Sequence, residues 1–368
     1  MALLVALLSS AMGHAGPVAS IIDCPLRDQP YSIDSPLIDV LLKPEAKAVV
    51  EREAPELLKA GPPMMQNTTP PTFASILTLR VLASFGHGSE SEPDDTLSGI
   101  AADLGALPIT DADREARCAR YDNDRLTLNV PTGHPRILLF EKITGFKDEA
   151  SVQAADVALR DMAKRDGWAL VATDKGGAIT EATLQKFDAV IWNNVSGDVL
   201  TLQERSALKR YVERGGGFVA FHGAAGDPAY FWDWYVDILI GARFNGHPMS
   251  PQFQEAQVVV EDQGPIAADL APGWRMTDEW YSFKSSPRHN GAHIIATLDE
   301  STYLPLGMGN VDLRMGDHPI AWSQCIGKGR SFYSAIGHRP ETYSDPHYEK
   351  LLERAILWAA GTGKAGCK

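Results

Sequence analysis

Gly215-Gly216-Gly217-Phe218-Val219-Ala220-Phe221-His222-Gly223-Ala224-Ala225 is the stretch on which the reading of the fold rests. Three glycines permit a tight turn. Four apolar residues follow without polar alternation, as in a strand covered on both faces. The run then breaks at His222, before small residues. This is the pattern of a sharp strand-to-helix corner that holds one side chain above the edge of a sheet. The corner residue is His rather than Ser or Cys, which disfavours acyl-enzyme chemistry. A neutral imidazole there suits metal ligation or general base work.

The pattern continues outward on both sides. Upstream, residues 136–143, 168–173 and 188–195 read as apolar strands. Between them, Val152, Ala155, Leu159, Met162 and Ala163, and then Leu208, Tyr211 and Val212, recur at helical spacing. Downstream, residues 257–260, 293–298, 320–323 and 331–336 are strand candidates. A last helix opens at Asp345-Pro346 and carries Tyr348, Leu351, Leu352, Ala355, Ile356 and Ala359 on one face. Such alternation predicts an α/β domain over residues 134–362, with a doubly wound, mostly parallel sheet. Ligands of such sheets bind beyond the carboxyl ends of the strands. Thr144–Asp148, Asn193–Asp198, His222-Gly223 and Gly337-His338 all fall there. Residues 24–128 read instead as a small helical unit, with a helix start at Asp34-Ser35-Pro36, an apolar run from Leu97 to Leu104 and a cap near Thr110. Nothing in that unit carries chemistry, and it reads as an accessory region.

The chain of 368 residues has 34 Lys and Arg against 47 Asp and Glu, a net charge of −13. That balance argues against a nucleic-acid partner, which requires clustered cations. Residues 1–15 are an apolar run closed by Gly13-His14-Ala15 and read as a secretory signal peptide, which places the protein in the periplasm or outside the cell. No later segment is long and apolar enough to insert in a membrane. Cys24, Cys118, Cys325 and Cys367 lack any CxxC spacing. In an exported protein they fit two disulfides, with Cys24–Cys118 the first pairing to expect, and unpaired structural thiols the alternative.

The elbow segment is followed by Trp234-Tyr235, Phe244-Asn245-Gly246-His247-Pro248, Thr277-Asp278-Glu279-Trp280-Tyr281, Asp317-His318-Pro319-Ile320-Ala321-Trp322, Gly329-Arg330-Ser331-Phe332-Tyr333 and Gly337-His338. In this order and spacing the chain resembles the ThuA-like (trehalose utilisation) family from about Arg136 to Gly361. The resemblance implies a class I glutamine amidotransferase-like, flavodoxin-like fold, with His222 where the amidotransferase has its Cys. It also implies a role in the catabolism of trehalose, related disaccharides or keto-sugars. Members often carry a basic-His pair after Thr-Gly-Phe, whereas this chain has Lys147-Asp148.

His222, Glu279 and His338 are the candidate catalytic residues and the candidate metal ligands. Two His and one Glu can bind a divalent metal, zinc before others, with an open position. The same groups can equally form an acid–base set without metal. Asp148, Trp234, His247, Asp278 and Tyr281 are the candidates for contact with a small carbohydrate, because aromatic rings beside carboxylates suit stacking and hydroxyl recognition. The expected activity is that of a sugar-acting hydrolase, lyase or isomerase. The competing reading is a non-catalytic carbohydrate-binding or sensory module on the same rim.

Overall fold

A computed structural model describes residues 22–59, 61–85, 94–262 and 264–362. The apolar segment 1–15 and Cys367 lie outside the described residues.

The N-terminal region is helical, as predicted; the cap expected near Thr110 forms, whereas the helix expected from Asp34-Ser35-Pro36 opens at Leu37 with Pro36 before it and no side-chain cap. The region contains α1 (Leu37–Leu42), α2 (Pro44–Glu53), α3 (Leu79–Phe85), α4 (Asp94–Gly105) and α5 (Asp111–Cys118). Helix α5 starts at a capping box between Thr110 and Asp113, which satisfies backbone donors at both residues. The helices bury a core of their own that includes Leu37, Ile38, Val50, Leu79 and Ile100. Buried ion pairs join them, among them Arg120 with Asp39 at 2.6 Å and Lys43 with Asp113 at 2.9 Å. The Cys24–Cys118 disulfide closes the region. Cys325 is also disulfide-bonded.

The second region is the α/β layer. Its strands are β1 (Arg136–Phe140), β2 (Ala169–Thr173), β3 (Ala189–Asn193), β4 (Gly217–Phe221), β5 (Phe244–Gly246), β6 (Phe253–Val260), β7 (Gly273–Glu279), β8 (Ser282–Phe283), β9 (His293–Asp299), β10 (Pro319–Ile326) and β11 (Gly329–Ser334). Nine of them form one sheet in the order β2-β1-β3-β4-β11-β10-β9-β6-β7, and β5 pairs with β8 apart from it. From β2 to β11 neighbouring strands are parallel. From β11 to β7 they are antiparallel. Every residue of β3 and β4 is buried, so these strands carry no polar alternation. Helices α6 (Glu149–Asp166), α7 (Glu181–Leu184), α8 (Leu202–Glu213) and α9 (Pro346–Ala359) complete the domain. Asp345 caps α9 by accepting from the amides of His347 and Tyr348.

Spread flat, the four strand spacings from β11 to β7 would measure about 19 Å at ~4.8 Å each. Yet Glu279 at the end of β7 reaches within 2.9 Å of His338, which follows β11. The antiparallel half therefore coils back over the carboxyl ends of the parallel half, as strong strand twist allows.

The helical region packs against this same edge. The Thr72 amide donates to the Thr144 carbonyl at 3.0 Å. The Phe73 and Phe146 rings lie 5.1 Å apart. A β-carbon on Gly145 would sit 2.3 Å from Ser196 Oγ and 2.5 Å from Ile76 Cγ2, so only glycine lets the rim loop and the helical region meet.

Candidate active site

His222 stands at the corner after β4 with φ of 42°, a left-handed conformation that costs a β-substituted residue energy. Its surroundings hold it there. Its carbonyl accepts from Tyr333 Oη at 2.8 Å, and the Gly223 amide donates to Asn194 Oδ1 at 3.1 Å. The imidazole lies over the Tyr281 ring with centroids 4.2 Å apart. Nδ1 lies 2.8 Å from the Ala335 carbonyl, to which it must donate. That contact turns Nε2 toward the interior of the site. Nε2 is buried with no hydrogen-bond partner among the described residues, and it points at Glu279 Oε2, 3.4 Å away.

Glu279 is 1% exposed. Its Oε2 also takes His338 Nδ1 at 2.9 Å, while Oε1 takes Gln252 Nε2 at 2.5 Å and faces His247 Nδ1 at 3.1 Å. Burial pushes this carboxyl up, but the neighbouring imidazoles of His222, His338, which hydrogen-bonds it, and His247 outweigh burial and hold it well below the usual carboxylate range. His338 shows the converse. Burial pulls its imidazole down, and the bond to Glu279 with the charges of Glu279, Asp148 and Asp278 raises it above the usual value.

His338 sits on the loop after β11, and Asp278 shapes that loop. Asp278 Oδ2 accepts from the Gly337 amide at 2.9 Å and Thr342 Oγ1 at 2.8 Å. Its Oδ1 accepts from the amides of His338 and Glu279 at 3.1 and 2.8 Å. Gly337 has φ of 139°, and a β-carbon there would meet Tyr343 Oη at 2.5 Å. Neighbouring residues of a strand leave opposite faces. Asp278 therefore anchors the loop while Glu279 meets the histidines.

The three residues singled out as catalytic come together. Ligand atoms of His222, Glu279 and His338 all lie within 4.8 Å of one another. His247 joins them on the more open side, with 24% of its side chain exposed. The structure sets four of the predicted carbohydrate contacts in different surroundings. Asp278 is 0% exposed and its carboxylate is saturated by the loop amides, so it is a positioning residue. Burial pushes its carboxyl up. Tyr281 is 5% exposed with one face covered by His222, and forms the wall behind that ring. Asp148 stands beside His338, with Oδ2 3.3 Å from Nε2, while Oδ1 caps α6 through the Ala150 amide. Trp234 lies elsewhere: its ring packs on Trp232 at 5.2 Å and under Lys209 Nζ at 5.7 Å, because its helical segment turns it toward α8.

Gln252, Phe253 and the Ala335 carbonyl take part without having been singled out in the sequence, whereas Phe146 belongs to the rim segment Thr144–Asp148. Phe253 pairs with Glu279 in the β6–β7 register, and that register cannot be read from either strand alone. The rings of Phe253 and Phe146 abut His338, at centroid distances of 5.1 and 5.9 Å.

This architecture defines an α/β protein of the class I glutamine amidotransferase-like kind with His222 at its elbow. The family model for ThuA, trehalose utilisation, matches residues 136–359, and the chain belongs to that family. A ThuA-like protein from Bacteroides uniformis shares 27% identity over 65% of this chain and 97% of its own, with a TM-score of 0.55. A ThuA-like protein from Parabacteroides merdae shares 20% identity over 62% of this chain and 90% of its own, with a TM-score of 0.45. No curated protein matches the sequence.

Proposed function

We propose that this ThuA-family protein is a carbohydrate-active enzyme, a hydrolase, lyase or isomerase of disaccharides or keto-sugars, whose site is a divalent-metal centre held by His222, Glu279 and His338. One observation carries the metal reading. Each histidine turns one ring nitrogen toward Glu279 and the other toward a fixed oxygen: His222 Nδ1 donates to the Ala335 carbonyl at 2.8 Å, and His338 Nε2 stands 3.3 Å from Asp148 Oδ2. Metal-bound histidines are oriented in this way. The buried, unpartnered Nε2 of His222 fits the same role, since an imidazole lone pair with no donor in reach is a costly thing to bury. Its 3.4 Å separation from Glu279 Oε2 matches the distance, about 3.4 Å, between tetrahedral ligands at ~2.1 Å from zinc.

An ion held there would supply Lewis-acid polarisation of a substrate oxygen and an acidified water. The chain's own residues do the rest. Asp148 keeps the His338 ring in one orientation. Asp278 fixes the loop that carries it. The dense wall of Tyr281 and Trp280 excludes water from behind. His247, on the exposed side, is placed to take or give a proton at a substrate hydroxyl. Amidotransfer is not part of this reading, because the elbow holds no thiol and Cys325 lies in β10 within a disulfide.

The disulfides also support export to an oxidising compartment, which fractionation of the native host would test. Among the described residues, no helix is long and apolar enough to cross a membrane. The functional test combines zinc content with turnover of trehalose and its keto derivatives. The proposal expects His222→Ala to lose both together. A His222→Ala protein with full turnover would overturn it.

A further inference from the structure

The mouth of the site carries a feature that metal binding does not use. Phe253 is 40% exposed at the first position of β6. Its register partner is Glu279, so the two side chains share a face of the sheet. The ring meets His338 edge-on, at 5.1 Å and 71° between planes. The Arg339 guanidinium stands 6.0 Å from the ring centroid, with Nε paired to Glu341 at 3.3 Å. Phe146 abuts the same imidazole at 5.9 Å, braced by Phe73 of the helical region at 5.1 Å.

A single exposed apolar residue is ordinary on a protein surface. This one is set apart by its place beside Glu279 and His338, in company with a cation and a second aromatic ring. An aromatic face next to a charged, hydrogen-bonding group matches a pyranose ring, which has an apolar C–H face and a polar rim. Exposed Phe253 offers the face, and Arg339 offers N–H donors that suit hydroxyl oxygens.

We propose that Phe253, with Arg339, forms a sugar-ring subsite that lays one pyranose of the substrate beside the His338–Glu279 edge, and that Phe73 of the helical region steadies its outer wall through Phe146. The inference rests on the carbohydrate reading above and names where the ring sits. It gives the helical region a positioning role, in place of a purely accessory one.

The test is calorimetric titration of the zinc-loaded full chain with trehalose, cellobiose and lactose, applied to wild type, Phe253→Ala, Phe253→Trp and Glu279→Gln. Phe253→Ala is expected to weaken binding of at least one of these sugars by about fivefold or more, in line with the worth of an aromatic pair. Phe253→Trp should stay within about twofold of wild type on the same scale. Both should keep the wild-type zinc content and thermal midpoint, because the side chain is exposed and binds no metal. If wild type binds a sugar and Glu279→Gln weakens it while Phe253→Ala does not, the subsite is wrong and the carbohydrate reading stands. If wild type binds none of the three, both fall. If Phe253→Ala changes only the oligomeric state, the residue belongs to a protein interface and the subsite is refuted.

Discussion

The parallel and antiparallel halves of the nine-stranded sheet reach the same site by different physical means. In the parallel half, His222 is delivered locally: a Gly-rich turn feeds a fully buried strand and the strand breaks at His222. In the antiparallel half, Glu279 is delivered by long-range coiling, which returns the edge strand β7 over the carboxyl ends of β4 and β11. One residue of β7, Asp278, then holds the parallel half's His338 loop in place. Local signals thus mark the rigid platform, while the carboxylate that completes the site depends on how the two halves dock.

Changes that sever the halves should have the largest effects. Glu279→Ala removes the acceptor shared by His222 and His338, and turnover should fall by about 10²- to 10⁴-fold, the usual worth of such a group, as read by steady-state rates. Asp278→Ala strands the amides of Gly337, His338 and Glu279. It should cost on the order of 3 kcal/mol in a urea unfolding series, since each buried orphan donor costs about 1–3 kcal/mol. An Asp278→Ala protein as stable as wild type would show that the loop holds itself.

A finer comparison concerns support within the parallel half. Asp148→Asn keeps the α6 cap while weakening the hold on His338 Nε2. Zinc affinity should drop about 10- to 100-fold in a competition titration, as for other lost metal-supporting partners. Unchanged affinity would reduce Asp148 to a helix cap.

The smallest effect is a pH dependence at Asp227, on the loop that follows the His222 corner. Burial pushes the Asp227 carboxyl up from 3.8 to about 7, against its hydrogen bonds with Ser196 and Gly197. The folded state therefore binds a proton that the unfolded chain releases between those values. This contribution to stability is complete below pH 3.8 and is lost as pH rises through about 7. Asp227→Asn mimics the protonated form. Between pH 5 and 8 its melting temperature should decline by roughly 1–3 °C less than that of wild type. Equal slopes would mean that the carboxyl titrates normally.

Much of the parallel half was legible because its strands are continuous apolar runs and its last helix carries a cap at Asp345. Strand β7 was not legible: Gly273-Trp274-Arg275-Met276-Thr277-Asp278-Glu279 alternates buried with wetter positions and ends in two acids, which reads as easily as a surface loop. Helix α2 also passed unnoticed, since half of Pro44–Glu53 is charged. At the site, residue type and strand-end position were enough to select His222 and His338, and the acid–aromatic run Asp278-Glu279-Trp280-Tyr281 was enough to select Glu279. Neither signal could separate Asp278, which holds a loop, from Glu279, which meets the histidines. Trp234, proposed as an aromatic suited to stacking, packs on Trp232 within its own helical segment.

The central claim is that one divalent ion is held jointly by the two halves of the sheet. The most direct measurement is elemental analysis with zinc-edge X-ray absorption on zinc-loaded, dialysed wild type beside His222→Ala from the parallel half and Glu279→Gln from the antiparallel half. The account predicts about one zinc per chain in wild type, with nitrogen and oxygen ligands near 2.0–2.1 Å, and loss of the ion in both variants. Zinc retained at wild-type level in Glu279→Gln, or a wild type that holds none, would contradict it.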